Sequence, residues 1–341
     1  MMLQALPLDI KIAKTKLKIE EFIRYYGSDG VYISFSGGVD STVLAHLVRS
    51  LYPEIPLVFS DTGLEFPELK EFVRKFDNVV TVRPKKSFKQ VITECGYPVI
   101  SKKVSRALKD LQNPTLKNIR VRNLYLTGIT SEGKMCKSRK LPKKYIHLID
   151  AKFKISNRCC DIMKKEPLHR YEKETGRKPI IGTQAEESKD REAAYLNHGC
   201  INWNKEACTP LGFWTKSDIL QYIKENNLSY CSVYGEIKKS ISLKGEIQYI
   251  TDGEVRTGCI FCAFGANREK GDRRRFIRLS KTHPQLFNYC IGGGEFNEKG
   301  LWVPNSKGLG LGYVLDVVGV DYIDTKGEIK GQIGFFEENV S

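Results

Sequence analysis

Six consecutive residues near the start of the chain have the composition of an anion-binding loop. Ser36, Gly37, Gly38, Val39, Asp40 and Ser41 follow an alternating apolar strand and open an apolar, helix-like run. Two successive glycines let the backbone bend and bring N–H groups toward an oxyanion, and the following helix adds its positive dipole end. Ser36 and Ser41 can donate to phosphate oxygens, while Asp40 can hold a magnesium ion that neutralises a pyrophosphate. The segment predicts a phosphate-binding loop, the alternative being a tight turn without a ligand.

Composition limits the class of protein. The chain has 341 residues, a formal charge of +15 and ten cysteines. No segment resembles a signal peptide or a membrane span, so we expect a cytoplasmic protein with no membrane partner. In that compartment ten cysteines are better explained as metal ligands, redox groups or buried apolar residues than as a disulfide framework.

Much of the positive charge falls in one basic segment, residues 102–144. Its cations are Lys102, Lys103, Arg106, Lys109, Lys117, Arg120, Arg122, Lys134, Lys137, Arg139, Lys140, Lys143 and Lys144, opposed by Asp110 and Glu132. Such an excess attracts polyanions, which predicts a nucleic-acid partner, although a solvated surface arm would have the same composition. Interleaved apolar residues indicate a folded arm, with Tyr125 available for stacking on an unpaired base.

The order of apolar runs predicts a doubly wound, mostly parallel α/β sheet of Rossmann-like type. Strands are expected at 31–35, 56–60, 79–82 and 179–182, with helices between them and the basic segment inserted before the last strand. We expect an N-terminal helix in 1–30, a nucleotide-binding domain in 31–230 with an insertion at about 101–150, and a helical, cysteine-containing C-terminal region in 231–341.

Polar residues that follow two of these strands should converge with the loop at one edge of the sheet. Asp61, Thr62 and Gly63 follow the second strand, and Glu187, Ser188 and Arg191 follow the later one. Arg191 could clamp a phosphate or sulfate through two parallel hydrogen bonds, with Ser188 donating to the same group. Ordinary helix caps and solvated charges would account for the same residues.

Three motifs carry a resemblance to a known family. The loop is neither a Walker A motif nor a dinucleotide fingerprint, and it resembles the PP-loop of the adenine nucleotide α-hydrolase superfamily. Residues 61–68 look like the D-T-G-x-x-F-P-E segment of the phosphoadenylyl-sulfate reductase family, and residues 210–219 are similar to its P-L-x-x-W-T-x-x-D segment, with Thr215 and Asp218 as a capping box. The resemblance covers roughly residues 30 to 230. It implies ATP or an adenylyl sulfate bound by Ser36, Gly37, Gly38, Asp40, Ser41, Asp61, Thr62, Gly63, Glu187 and Ser188.

Two close pairs of cysteines could bind a metal. Cys159 and Cys160 are adjacent, and Cys259 and Cys262 form a C-x-x-C motif. Adjacent sulfurs reach one zinc ion only with strain, whereas a [4Fe–4S] cluster offers four separate iron corners. Adenylyl-sulfate reductases of the bacterial type carry the same arrangement and bind such a cluster, which this chain resembles. Zinc stays open as the metal, and Cys200 or Cys208 could replace one ligand.

Two departures from the reductases determine the predicted reaction. Those enzymes use a cysteine near the C-terminus, whereas this chain has no cysteine after Cys290. Asp40 and Ser41 complete the loop of the ATP-cleaving members, which releases magnesium pyrophosphate. We therefore expect an ATP pyrophosphatase with Asp40, Ser41 and Arg191 as catalytic residues, supporting iron–sulfur-dependent sulfur transfer to an acceptor such as nucleic acid.

Two alternatives remain from the sequence. A sulfonucleotide reductase would need Cys136, Cys200 or another thiol as its nucleophile, and a nucleotide-binding iron–sulfur subunit would have no turnover of its own. The physiological sulfur donor or electron donor protein and the oligomeric state are left open.

Overall fold

Helices and strands alternate along the chain much as the apolar runs predict. The structure, a computed structural model, describes residues 2–241, 245–322, 324–325 and 328–329. The helices are α1 (Leu8–Tyr26), α2 (Val39–Arg49), α3 (Pro67–Val73), α4 (Phe88–Cys95), α5 (Lys102–Gln112), α6 (Ile119–Thr127), α7 (Glu166–Thr175), α8 (Lys189–His198), α9 (Lys216–Glu225), α10 (Arg275–Thr282), α11 (Pro284–Ile291) and α12 (Leu311–Val318).

The strands follow the same order. They are β1 (Val31–Phe35), β2 (Leu57–Ser60), β3 (Val79–Val82), β4 (Val99–Ile100), β5 (Lys178–Ile181), β6 (Ile201–Asn202), β7 (Ala207–Cys208), β8 (Ile237–Ile241), β9 (Ile247–Thr251), β10 (Ala263–Phe264), β11 (Glu295–Phe296), β12 (Trp302–Val303), β13 (Asp324–Thr325) and β14 (Glu328–Ile329). The strands predicted in the first part of the chain are thus present as β1, β2, β3 and β5.

The chain divides into two compact units, each made of two separate segments. Unit 1 comprises Met1–Lys85 and Lys164–Cys259, and unit 2 comprises Lys86–Met163 and Ile260–Ser341. The segments predicted from the sequence follow chain order. The units instead group the inserted basic segment with the C-terminal region, because those two parts share one core.

Unit 1 is built on a six-stranded sheet with the order β3-β2-β1-β5-β7-β6. All neighbouring strands are parallel except β6 and β7. The strand order reverses at β1, because β2 and β3 lie on one side of it and β5 on the other. In a doubly wound sheet the loops after two such strands enclose a crevice at the carboxyl edge, where ligands bind. The predicted doubly wound, mostly parallel sheet is confirmed.

Helices cover both faces of this sheet. On one face Tyr32 of β1 and Val58 of β2 pack with Tyr171 of α7, and the two tyrosine rings meet edge to face at 5.2 Å. On the other face the ring of Phe35 contacts that of Phe76, just beyond α3, at 4.8 Å. Successive strand residues point to opposite faces of the sheet. The continuous apolar run of β1 therefore packs against the helical layers on both faces.

Unit 2 has a core of aromatic residues from both of its segments. β4 and β10 form a short parallel pair. The Tyr97 hydroxyl donates to the carbonyl oxygen of Leu309 at 2.8 Å, and Phe153 lies edge to face with Tyr97 and Tyr313. These contacts explain why segments far apart in sequence form one unit. Within the part of the chain that the structure describes, no helix is both long and apolar enough to cross a membrane.

Candidate functional site

The loop between β1 and α2 requires glycine for steric reasons. Gly37 has a φ of +72°, in the left-handed region that favours glycine. A Cβ at Gly37 would lie 2.8 Å from Cγ2 of Val73, and a Cβ at Gly38 would lie 3.0 Å from the hydroxyl oxygens of Tyr234 and Thr257. Side chains of unit 1 therefore press on the loop from two sides and hold its backbone in place.

Two serine hydroxyls close the loop around the start of α2. The Ser41 hydroxyl donates to the carbonyl of Gly38 at 2.9 Å, accepts from the Ser36 N–H at 3.2 Å, and lies 3.1 Å from the Ser36 hydroxyl. The Gly38 N–H donates to the Ser36 hydroxyl at 3.3 Å. Gly38, the N-cap residue of α2, has no side chain, but the Val39 N–H donates to the Tyr234 hydroxyl at 3.4 Å. An anion would compete with this hydroxyl for the positive end of the helix, and phosphate binding at the loop stays a prediction.

Asp40 lies in the first turn of α2 and forms an ion pair with Lys216. The Lys216 Nζ is 3.0 Å from each carboxylate oxygen, and about a third of each side chain is exposed. The same ammonium lies 5.7 Å from the centre of the Tyr234 ring. The carboxylate of Asp40, which the sequence predicts as a magnesium ligand, is therefore paired with the ammonium of Lys216.

Sequence reasoning missed Lys216, although it identified the cap beside it. Thr215 and Asp218 form the predicted capping box at the start of α9, with the Asp218 carboxylate accepting from the Thr215 N–H at 2.6 Å. The buried ammonium of Lys11 also donates to Asp218 at 2.6 Å. Because β7 runs parallel to β5, the helix that follows it begins at the carboxyl edge of the sheet, which is the signal that could have pointed to Lys216.

The end of β5 approaches the loop closely. A Cβ at Gly182 would lie 3.1 Å from the carbonyl oxygen of Asp40. Just beyond, the Glu186 carboxylate accepts from the Lys216 N–H at 2.7 Å. These contacts bring the segment after β5 to the phosphate loop, as the expected convergence at one sheet edge requires.

Ser188 and Arg191 are engaged in local contacts within that segment. The Ser188 hydroxyl caps α8 by accepting from the Arg191 N–H at 3.3 Å. The Arg191 guanidinium forms an ion pair with Glu187, whose carboxylate also accepts from the Gln184 N–H at 3.0 Å. The helix-cap interpretation thus describes the geometry of Ser188, and the predicted phosphate clamp by Arg191 would require it to leave Glu187.

Asp61, Thr62 and Gly63 lie at the end of β2, beside the loop strand. Burial alone would raise the pKa of Asp61, but hydrogen bonds from Lys70 and Arg83 outweigh it and hold the pKa below its usual value. Thr62 donates to the buried carboxylate of Glu65 at 2.6 Å. This turn is therefore a charge-paired, internally bonded structure at the predicted edge.

The four predicted cluster cysteines are divided between the units. Cys159, Cys160 and Cys262 belong to unit 2, and Cys259 ends unit 1. Cys159 is buried and the other three are half-buried. In the ranges that the structure describes, no three His, Cys, Asp or Glu side chains are grouped closely enough to hold a metal ion. The donor chemistry of four thiols suits an iron–sulfur cluster, but the ligand set stays a prediction from spacing.

Of the two cysteines considered as substitutes, Cys208 lies in β7 and Cys200 directly precedes β6, both in unit 1. Burial raises the pKa of Cys200 to about 11 and that of the fully buried Cys208 well above its ordinary value. Both are therefore neutral thiols at physiological pH, because the thiolate would lose its hydration. Neither environment favours a nucleophilic thiolate, and the substitution of either cysteine into the ligand set stays a prediction.

The basic segment is folded and belongs to unit 2. It contains α5 and α6, and all of its cationic side chains are exposed except the half-buried Lys109 and Arg122. The prediction that Tyr125 is available for stacking is wrong. Only 5% of Tyr125 is exposed, because it packs into the interior of the arm.

The chain is similar in sequence or in structure to several known proteins. The chain is 24% identical over 264 residues to an uncharacterised protein of Methanocaldococcus jannaschii, covering 76% of this chain and 46% of that protein, so it spans less than half of that relative. It is 26% identical over 218 residues to adenosine 5′-phosphosulfate reductase of Lysinibacillus sphaericus, covering 63% of this chain and 72% of the reductase. The crystal structure of phosphoadenylyl-sulfate reductase from Candida auris has a TM-score of 0.34 and 16% identity, covering 63% of this chain and 82% of that one.

The family itself is established by a match along most of the chain. The phosphoadenosine phosphosulfate reductase domain matches residues 30–109 and 117–262. This range includes the phosphate loop, the turn after β2, the segment after β5 and all four predicted cluster cysteines. The family resemblance read from the motifs is therefore confirmed, and the chain belongs to the phosphoadenosine phosphosulfate reductase domain family.

Proposed function

We propose that this protein binds magnesium ATP on the Ser36–Ser41 loop and cleaves it at the α-phosphate. An oxygen of the acceptor attacks the α-phosphorus, the bond to the β-phosphate breaks, and magnesium pyrophosphate leaves. The adenylated acceptor then reacts with a sulfide equivalent from a donor protein, which replaces AMP. The protein would thus be an ATP pyrophosphatase and sulfurtransferase.

The observation that carries this proposal is the Asp40–Lys216 ion pair at the start of α2. The two opposite charges lie 3.0 Å apart beside a phosphate-type loop. A magnesium ion has a stronger field than an ammonium, so it can take Asp40 and release Lys216. The freed ammonium could then donate to phosphate oxygens. One carboxylate and one lysine would in this way supply both the metal ligand and a phosphate clamp.

The remaining loop groups would stabilise the leaving pyrophosphate. The Ser36 and Ser41 hydroxyls now satisfy one another and the loop backbone, and they can turn toward phosphate oxygens when an anion arrives. The N–H groups at the start of α2 and its dipole add positive potential. The backbone does not need to rearrange, because Gly37 is already held in its left-handed conformation.

A cleaved ATP fits these residues better than a reduced sulfonucleotide does. Reduction requires a nucleophilic thiolate. Cys200, one of the candidate thiols, has a pKa of about 11 and is 7% exposed. Cys136 lies in the other unit and donates or accepts a weak hydrogen bond with Ser138. By contrast, Asp40 and Ser41 supply the carboxylate and hydroxyl that metal-assisted departure of pyrophosphate would use.

Cys159, Cys160, Cys259 and Cys262 would hold a [4Fe–4S] cluster in the cytoplasm, where thiols remain reduced. When bound, such a cluster can supply an iron site for a sulfide equivalent or for electrons. The cysteines themselves would bind it as thiolates, and the buried Cys159 would bind it on the side away from solvent.

Replacing Lys216 with alanine tests the observation directly. We expect the KM for magnesium ATP to rise and kcat/KM for pyrophosphate release to fall about 10- to 100-fold, the range for removal of a hydrogen bond to a charged group. The free energy of unfolding should change by about 1 kcal/mol or less, since the pair is about one-third exposed. Coupled pyrophosphate assays and chemical denaturation measure the two quantities.

Lys189→Ala is the matched control for this test. Lys189 is the first residue of α8 and follows a serine cap, just as Lys216 is the first residue of α9 and follows a threonine cap. It should leave pyrophosphate release within about two-fold of the original protein. If the two variants behaved alike, Lys216 would have no role beyond its ion pair with Asp40. If the unmutated protein bound ATP without releasing pyrophosphate, alone or with RNA or DNA, it would be a nucleotide-binding subunit instead.

The basic segment supports a nucleic-acid acceptor for the sulfur. Its cations are almost all exposed on a folded arm within the same chain as the nucleotide loop. An acceptor rich in phosphates would release counterions from this surface, which makes its affinity strongly salt-dependent.

Exchanging Lys137, Arg139, Lys140, Lys143 and Lys144 for glutamine tests this acceptor. The log–log salt slope of RNA binding should become less steep by about 0.7 to 0.9 for each phosphate that the variant no longer neutralises, with ATP affinity unchanged. Lys299→Gln with Lys307→Gln, two exposed lysines of unit 2 outside the segment, is the control and should keep the slope. Salt-independent binding by the unmutated protein would leave the arm as a solvated surface.

A further inference from the structure

A cavity of about 370 Å³ in unit 1 lies between α1 and the segment from α8 to β6. None of the residues that line it belongs to the Ser36–Ser41 loop. Lys14, Leu17 and Lys18 contribute one wall from a single face of α1, and Tyr195, His198 and Trp203 contribute the opposite wall. The mechanism proposed above uses none of these residues.

An aromatic shelf, formed by Tyr25, Tyr26 and Trp203, adjoins this cavity through Trp203. The ring centres of Tyr25 and Trp203 are 5.0 Å apart, and those of Tyr25 and Tyr26 are 4.8 Å apart. Tyr25 is 70% exposed and Trp203 is 44% exposed, which is unusual for rings that could pack inside the sheet. Since Trp203 belongs to both cavity and shelf, the two form one continuous surface that is longer than a single ring.

The charges along the cavity favour an anionic occupant. Lys14 and Lys18 line it, and the acidic Glu21 in the same wall is already paired with Lys18 at 2.6 Å. Burial raises the pKa values of Tyr195 to about 12 and of Cys200 to about 11, so these two wall residues are neutral. Of the charged side chains that line the cavity, Lys18 and Glu21 neutralise each other, and Lys14 leaves a net positive charge.

We propose that this surface binds a single-stranded polynucleotide. One unpaired base would enter the cavity, the next would stack on the aromatic shelf, and Lys14 would contact the phosphate between them. Exposed aromatic rings beside lysines are the arrangement by which proteins bind single strands with little sequence preference. A second copy of this chain fits less well, because the formal charge of +15 makes self-association repulsive.

Fluorescence anisotropy with a labelled oligothymidylate of about 15 nucleotides, without ATP, tests the proposal. Tyr25→Ala should weaken binding roughly five-fold or more and Trp203→Leu roughly ten-fold or more, as expected when base stacking is removed. Tyr25 is mostly exposed, so its variant should fold even if Trp203→Leu does not. Lys14→Gln should make the log–log salt slope less steep by about 0.7, the value for one phosphate contact on a single strand.

Lys16→Gln is the matched control on the same helix. Lys16 is half-buried and does not line the cavity, and its charge acts on His46, whose pKa is lowered by burial and by that neighbour. Equal salt slopes for Lys14→Gln and Lys16→Gln would overturn the proposal. So would AMP binding that Trp203→Leu weakens as much as it weakens oligonucleotide binding, which would indicate a small-ligand site in the cavity, or a dimer that Tyr25→Ala dissociates. If binding were weakened only in the variant that carries five glutamines in the basic segment, this proposal would fail while the acceptor proposal stood.

Discussion

Asp40→Asn is expected to reduce magnesium-dependent pyrophosphate release on the order of 10²- to 10³-fold. The change keeps the shape of the side chain but removes the negative charge that would hold the metal, and a metal ion stabilises such a transition state by several kcal/mol. The fold should survive, because an ion pair that is about one-third exposed contributes about 1 kcal/mol or less. Initial rates at several magnesium concentrations, together with thermal unfolding, measure both effects.

Asp9→Asn is the matched control for this change. Asp9 lies in the first turn of α1, as Asp40 lies in the first turn of α2, so both substitutions remove a carboxylate from a helix start. Asp9→Asn should keep the rate within about two-fold. A rate for Asp40→Asn that stayed close to that of the original protein would contradict the metal role. If the rate of Asp40→Asn stayed unchanged at every magnesium concentration, we would conclude that other groups hold the metal ion.

Local sequence patterns predicted those parts of the fold in which each element is specified by its own residues. Val79–Val82 is a strand with the predicted bounds. Thr215 and Asp218 form their capping box because the signal needs only residues three apart. Such patterns do not contain information about which distant segments share a core. The grouping of the basic segment with the C-terminal region therefore could not be read from chain order.

The same limit applies to the site. The glycines of the phosphate loop were predictable, since their role depends on a turn that follows a strand directly. The partner of Asp40 was not, because Lys216 is 176 residues away and its own motif describes only a helix cap. Tyr125 was misjudged for a related reason: an aromatic residue between cations can face either solvent or the arm's interior, and the helical face of α6 decides which.

The charged side chains at the sheet edge are paired with one another, so a ligand has to compete with these ion pairs. Asp40 is paired with Lys216, Asp61 with Lys70 and Arg83, and Arg191 with Glu187. A magnesium nucleotide brings both signs of charge, so it can exchange with such pairs without leaving a charge unpaired. A free metal ion or a free phosphate can satisfy only one member of a pair. We therefore expect ATP and magnesium to bind cooperatively.

Anaerobically purified protein is expected to contain about four iron and four sulfide per chain and to absorb broadly in the visible range. Serine at Cys159, Cys160, Cys259 or Cys262 should remove most of this absorption, because a hydroxyl replaces a thiolate that holds one iron. The effect should be close to all-or-none in iron content. Elemental analysis and the absorption spectrum of each variant measure it.

Cys136→Ser provides the comparison for these four variants. Cys136 is a half-buried cysteine of unit 2 outside the two predicted pairs, so its substitution should leave iron and sulfide unchanged. One zinc per chain with no sulfide would exclude the cluster and favour a tetrahedral zinc site. Full iron retention by Cys259→Ser or Cys262→Ser would show that another thiol completes the ligand set. If that thiol were Cys200, it would have to bind iron as a thiolate, although its burial raises its pKa to about 11.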